Sequence, residues 1–473
     1  MDSNYFKNED FAESLRSYER SSATGEPIYL DCDQLMDIAE YYHYHGYSAE
    51  ALRAADKAHE LFVDAVAPLV FKARLLLLVG KDPEKAMSVA EQITDKYDLD
   101  YFYIKAEIMI ACDQVEEADQ FLEESLNLIN DEDYPDFVID SAILFVDYEL
   151  PDMARKWLSR SSETDSPDYR ETLGRICHHE GNYKECERIF NDLINDDPYN
   201  VYYWNMLAGN QMATQRYNDA ISSSEFAIAI DPDNEDALLY KAQALMHLQN
   251  YEEAYQYFKR NARLRRLNVD SHLNAGLCLL QLKRHEEALK ELRTAERHAR
   301  RVQTGKLVEV LREEVLVYSQ LGDITHALHL VESMVEEGCD PDEATVLRGH
   351  IHLGNGDEAE ARQCFIEAIE HSQYSGLIML QSAVSLYDND YLEAAYSILS
   401  QISDEELAHY PSTYVYLAIC AHDLHKRAAY LDNLKKAVKK APYASRMLLS
   451  SFFPEGMEIS DYYTYALNHS EKK

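Results

Sequence analysis

Four small residues recur at one strict interval. Cys186, Ala220, Ala254 and Ala288 stand thirty-four positions apart. Each closes the same local pattern: a turn-like stretch, an aromatic residue or His, then two polar residues. The stretches read Gly-Asn-Tyr-Lys-Glu-Cys186, Gln-Arg-Tyr-Asn-Asp-Ala220, Gln-Asn-Tyr-Glu-Glu-Ala254 and Lys-Arg-His-Glu-Glu-Ala288. A fixed period of this length marks stacked supersecondary units rather than one globular core. It excludes most compact single-core folds, because each unit packs only on its neighbours.

The residues from Tyr202 to Asp233 show what one unit contains. Trp204, Leu207, Ala208, Gln211 and Met212 follow helical spacing. After Arg216 the pattern predicts a second helix from about Asn218 to Ile230, with Ala220, Ser224 and Ala227 along one face. Asp231-Pro232 ends it, since proline cannot continue a helix and biases the preceding residue away from helical geometry. Small residues at Ala208, Ala220 and Ala227 let two helices approach closely, and Trp204, Leu207 and Tyr217 fill the space around that crossing.

The set Trp204-x-x-Leu207-Ala208, Tyr217, Ala220, Ala227 and Pro232 resembles a tetratricopeptide repeat, with Ala208 where that family usually has Gly. Neighbouring stretches carry the same signature: Leu173-Gly174, Gly181, Tyr183, Phe190 and Pro198 before, and Ala242, Tyr251, Ala254 and Phe258 after. The match drifts outward through weaker units centred on Ala86, Ala118 and Ala154, and ends near Pro442. The expected fold is therefore all-α: an α-solenoid, a right-handed superhelix of about twelve helix-turn-helix units. The expected divisions are a capping helix in 1–30, about eight units in 31–300, about four in 301–442, and a capping helix and tail in 443–473. Asp10 and Glu13 resemble a helix-starting box ahead of the stripe Phe11, Leu15 and Tyr18, and Met447 to Phe453 supplies an apolar helix at the other end. The spacing from Ala288 to Ala327 is five residues over the period, which places a longer helix, a loop insertion or a hinge near Arg300 to Gly305.

The formal net charge is −40, which repels phosphate backbones and anionic membranes and favours basic partners or apolar anchors. The charge is uneven. Lys259 to Lys306 holds thirteen Lys and Arg against five Asp and Glu, and Lys426 to Arg446 holds seven against Asp432. The eight cysteines form no Cys-x-x-Cys pair, which fits a reducing compartment. No secretory signal or apolar run of membrane-spanning length is present, so a cytoplasmic location is expected.

Catalytic and metal motifs are absent. His285-Glu-Glu-Ala-Leu289 starts like a zinc-protease helix but has Leu289 where the second imidazole belongs. The carboxylates from Asp231 to Asp236 lack the glycine of a calcium loop. Gly354-Asn-Gly356 follows no strand pattern, and there is no phosphate loop or nucleophile elbow. His178 and His179 are adjacent and point to different sides of a helix. No enzyme activity, metal or cofactor is expected.

The resemblance implies that the first helix of each unit lines a concave face that holds a segment of a partner. Carried over residue by residue, that face shows Arg175 and His179, then Tyr202, Asn205, Met206 and Met212, then Tyr240, Gln243 and His247, then Asn274 and Gln281. Amide side chains bond a peptide backbone through donors and acceptors, while Tyr and Met offer adaptable anchors. The basic clamp by which some family members hold a chaperone's acidic tail is missing: its positions carry Asn205, Gly209, Tyr240, Asp270 and Asn274. The expected function is a non-catalytic scaffold binding a protein or peptide segment, with no membrane partner. The alternative is a regulator or nucleic-acid-linked adaptor using the Lys259–Lys306 ridge, which the net charge disfavours.

Overall fold

A computed structural model describes residues 6, 8–265, 267–302, 305–454 and 456–469. Its regular structure is helical, with no strand among the described residues. The chain divides into two compact units, Met1–Cys278 and Leu279–Lys473. In the first, seven helix pairs follow one another: Cys32–Tyr44 with Ser48–Leu61, Ala67–Leu78 with Pro83–Ala90, Leu99–Ala111 with Val115–Ser125, Tyr134–Asp147 with Pro151–Leu158, Pro167–His179 with Tyr183–Asp196, Val201–Ala213 with Tyr217–Ile230, and Glu235–His247 with Tyr251–Asn261. The helix Val269–Gln281 carries the division and is followed by His285–Val302. Four more pairs lie in the second unit: Leu307–Gln320 with Ile324–Glu336, Pro341–Gly354 with Glu358–His371, Gly376–Asp388 with Leu392–Leu399, and Thr413–Asp423 with Arg427–Lys440. Among the described residues these make twelve pairs.

Each pair turns in the same way. One residue between its helices has a left-handed backbone, from Gly46 (φ 78°) through Gly181 (φ 74°), Gln215 (φ 60°) and Gln249 (φ 61°) to Gly356 (φ 86°) and His425 (φ 56°). The amide after it reaches back to a carbonyl of the first helix: Asn182 to Cys177 at 2.8 Å, Arg216 to Gln211 at 2.9 Å, Asp357 to His352 at 2.9 Å. These bonds satisfy carbonyls that a helix end leaves unpaired and reverse the chain in very few residues. The turn, repeated, is what keeps every first helix in register with the next.

The small residues sit where the period predicts, at helix crossings. Ala208, Ala220, Ala227, Ala254, Ala288, Ala327 and Ala361 are all fully buried. Gly174 and Gly349 mark close approaches, since a Cβ there would lie 2.7 Å from the rings of Phe190 and Phe365. Leu207 and Tyr217 are buried as expected. Trp204 is only half-buried: it stacks on Phe226 at 4.6 Å, and its Nε1 donates to the Pro198 carbonyl at 2.9 Å.

Both ends differ in detail from the sequence reading. The first helix, Glu9–Thr24, is capped by Asn8, whose Oδ1 accepts from the Asp10 amide at 3.2 Å, so Asp10 lies inside the helix and does not start it. Phe11 and Tyr18 enter the same core as Leu35, Ile38 and Ala55. At the other end Pro442–Leu449 runs into a short 3-10 turn at Ser450–Phe452, and a further helix follows at Ile459–Asn468, burying Tyr462. The register slip is largely taken up by the helix His285–Val302, which at 18 residues exceeds the 14 of Tyr217–Ile230. Of the segment Arg300 to Gly305 proposed as a hinge, Gln303 and Thr304 lie outside the described residues.

Candidate functional site

The first helices of the fifth, sixth and seventh pairs place one row of side chains on the inner wall of the first unit. Arg175 is half-buried and bonds Asp147. The same guanidinium acts electrostatically on Tyr202, whose hydroxyl also feels Glu171 and, from the next pair, Tyr240. Tyr202 is 38 % exposed, yet surrounding protein pushes its phenol well above the ordinary range. Asp236 is likewise open to solvent in one direction and enclosed in the others, and burial raises its carboxyl despite the nearby Arg265. Groups that are accessible and still desolvated are what a concave wall produces.

Second contacts hold this row. Gly209 leaves room for Tyr240: a Cβ there would stand 3.0 Å from the Tyr240 hydroxyl. Asn205, 6 % exposed, donates through Nδ2 to Asn234 Oδ1 at 2.9 Å. Asn234 caps the next helix by accepting the Ala237 amide at 3.0 Å. Asn205 therefore ties one first helix to the start of the following one.

A cavity of about 710 Å³ opens at this end of the wall. Tyr202, Asn205, Asn234, Glu235 and Asp236 line it, together with Arg265 and, from the first pair, Tyr44. The Arg265 guanidinium lies 5.9 Å from the centre of the Tyr44 ring and donates Nε–H to Glu235 Oε2 at 2.6 Å. Within the first unit the stack thus curls far enough to bring its first pair against the segment after its seventh. Local sequence patterns carry no trace of that approach, and neither Tyr44 nor Arg265 was among the expected binding residues. The acidic residue at the start of the first helix was a readable signal: Asp100, Asp136, Asp168, Asp236 and Asp270 occupy equivalent positions, thirteen before the left-handed turn residue.

The other expected binding residues take varied places. Met206 is half-buried and packs against the cluster of Cys186, Phe190 and Leu207. Met212 packs against Tyr217, Ala220 and Ala244. His247 stacks on Tyr217 at 4.6 Å, and burial lowers its pKa. Gln243 is half-buried, His179 is exposed beside His178 with ring centres 5.7 Å apart, and Asn274 donates to the Asp270 carbonyl at 2.9 Å. Gln281, exposed, belongs to the second unit.

The basic stretches are largely engaged with their surroundings. Lys259 donates to the Tyr255 hydroxyl at 2.7 Å, Arg260 to the Pro232 carbonyl, and Arg284 to Glu287 at 2.7 Å. Arg300 pairs with Glu296 and Glu337 at 2.9 and 2.7 Å. Arg266 lies outside the described residues. In the second stretch Lys426 pairs with Glu393 at 2.9 Å and Lys436 with Asp432 at 2.7 Å. The cysteines are free thiols, and burial pushes that of Cys186 up to about 12. No helix among the described residues is long and apolar enough to cross a membrane.

Paired helices, a repeated left-handed turn and small residues at the crossings define a helical-repeat solenoid. The repeat is the tetratricopeptide one, and the chain is a tetratricopeptide-repeat protein. The family model for subunit 3 of the anaphase-promoting complex, or cyclosome, matches residues 213–295. DnaJ homolog subfamily C member 7 of Homo sapiens is 25% identical over 226 residues, 46% of this chain and 41% of that relative. The chain thus spans less than half the length of that curated relative. A solved tetratricopeptide repeat protein from Parabacteroides merdae aligns with 54% of this chain and 99% of its own, at 17% identity and a TM-score of 0.39. YrrB, described as a TPR protein with an unusual peptide-binding site, aligns with 42% of this chain and 97% of its own, at 16% identity and a TM-score of 0.35. The Cut9–Hcn1 hetero-tetramer of the APC/C aligns with 93% of this chain and 92% of its own, at 14% identity and a TM-score of 0.31.

Proposed function

We propose that this protein is a non-catalytic interaction scaffold of the cytoplasm that captures a protein or peptide segment along the inner wall of its first unit. The observation that carries the reading is the row Arg175, Tyr202 and Tyr240, in which Arg175 is held by Asp147, Tyr240 packs over Gly209 and Tyr202 lies within electrostatic reach of both. Fixed aromatic side chains lose little freedom on binding and offer both apolar area and a hydroxyl. Such a wall suits an extended segment, whose backbone donors and acceptors alternate along its length. The engaged guanidiniums of Arg260, Arg284 and Arg300 weigh against a nucleic-acid role for the basic ridge, because a phosphate contact would have to displace existing bonds.

The test is capture of partners from the native cell by the full chain, followed by affinity measurement with the double substitution Tyr202→Ala and Tyr240→Ala. Affinity should fall by roughly tenfold or more, as for truncated aromatic anchors elsewhere, with helicity by circular dichroism unchanged. Equal affinity of the double variant for the captured partner removes the wall as the binding surface.

A further inference from the structure

The cavity beside Tyr202 has a one-sided polar chemistry. Among the described residues its carboxylates are Asp197, Asp231, Asp233, Glu235 and Asp236, and its one cationic side chain is Arg265. Arg265 shows what these walls accept. Its guanidinium bonds the Glu235 carboxylate and lies against the Tyr44 ring, the combination that holds cationic side chains at protein surfaces. Asp236, one residue further on, makes no hydrogen bond or ion pair of its own among the described residues and receives Arg265 only through space.

A second observation is independent of the carboxylates. Asn205 lines the same cavity and is 6 % exposed, and its Oδ1 has no donor. The amide cannot simply be turned round. Its Nδ2 is bonded to Asn234 Oδ1, which already accepts the Ala237 amide, so a flip would set two oxygens face to face. A buried acceptor without a donor is costly to leave unmade. The unmet demand of Asn205 and Asp236 is for hydrogen-bond donors.

We infer that the cavity seats a cationic side chain, a Lys ammonium or Arg guanidinium, of a basic segment bound along the inner wall, with Asp236 as its acceptor, Tyr44 as a flanking ring and the unpaired Asn205 amide in the wall beside it. The inference rests on the wall being the binding surface and adds the charge class of what binds there. A basic occupant also complements the net charge of −40.

The test uses the full chain and three capped, fluorescent peptides of alternating glycine with arginine, citrulline or glutamate, followed by anisotropy at near-physiological salt. The arginine peptide should bind saturably. The citrulline peptide, equal in shape but uncharged, should bind about tenfold more weakly, and the glutamate peptide not at all. Asp236→Asn should weaken the arginine peptide about tenfold. Asp64→Asn, the same charge change at an exposed loop residue, should change it less than about twofold. Equal binding of arginine and citrulline peptides, equal effects of the two Asp→Asn changes, or no saturable binding of the arginine peptide each overturns the cation seat. Loss through Tyr202→Ala with Tyr240→Ala, but not through Asp236→Asn, keeps the wall and discards the seat.

Discussion

The two units build their first helices on the same turn and the same crossings, and dress them differently. Six positions before the left-handed turn residue, the first unit carries Arg175, Gly209 and Gln243, while the second carries Leu316, His350 and Val384. Ten before it, Glu171 and Asn205 face Val346 and Leu380 as counterparts. The second unit has its own cavity of about 440 Å³, lined by Leu316, Leu347, Leu380, Val384 and Tyr416 with His350, Asp388 and the paired Arg312 and Glu343. Burial lowers the pKa of His350 and raises that of Asp388, so both are pushed toward their neutral forms. Burial acts on Asp236 and Glu171 in the same direction, so the walls differ in how many charged groups they carry at these positions, more in the first and fewer in the second. Positions that face neither the partner helix nor the next pair are free to vary, so one frame supports two chemistries.

The comparison assumes a shared frame, and the largest effect tests that assumption. Ala220 in the first unit and Ala361 in the second are both fully buried at a helix crossing. Arginine at either site needs room that is absent and brings an unpaired charge. Ala220→Arg and Ala361→Arg should each cost about 3–5 kcal/mol and unfold the affected pair. Guanidinium melts followed by circular dichroism should show the loss in a sub-transition, as arrays need not melt as one body. A variant as stable as the parent at either site would show that its unit keeps a different register.

Charge suppression in the second unit is sharpest at Glu314. Its side chain is 2 % exposed, and Oε1 has no hydrogen-bond partner. Burial, then Glu296, raises its pKa from 4.5 to about 8, against the opposing pull of Arg293 and Arg300. Below pH ~4.5 the folded and unfolded chains both hold the proton. Between about 4.5 and 8 the unfolded chain has lost it and the folded chain keeps it, so this group's stability contribution falls as pH rises; above about 8 it is level. Glu314→Gln mimics the protonated carboxyl and should stabilise the second unit at pH 8 by about 4 kcal/mol, with little effect near pH 4.5. The measurement is the difference between parent and variant melts across that range. A pH-independent difference would mean that Glu314 is ionised in the folded protein.

The frame was legible in the sequence because it rests on local rules. Ala220 and Ala254 announce the crossings, Pro232 ends a second helix, and the count of pairs follows. The wall was legible in part: Arg175, Tyr202, Asn205 and Tyr240 come together, since one helical face fixes where they point. Met212 and His247 also lie on first helices, yet both pack against Tyr217 near the turn between helices. The approach of Tyr44 to Arg265 was not legible. It depends on the small rotation accumulated over seven pairs, which no single pair's sequence encodes. The last helix, Ile459–Asn468, falls after the period has ended and had no repeat to announce it.

The smallest effect separates backbone strain from everything else in the comparison. Gly356 has φ 86°, and a Cβ added there would meet nothing within 4 Å. Gln249 holds the same place in the first unit at φ 61° and is exposed. A left-handed residue with a Cβ costs about 1–2 kcal/mol, against roughly 0.5–1 kcal/mol for the extra freedom that glycine loses on folding. Gln249→Gly should therefore stabilise by about 0.5–1 kcal/mol, and Gly356→Ala should destabilise by about as much. Urea melts of the two single variants resolve the signs. Opposite signs mean that the turn is one device in both units and that the difference between them lies wholly in the side chains on the walls. Equal signs would mean that the two turns are held by different forces, and the walls could then no longer be compared position by position.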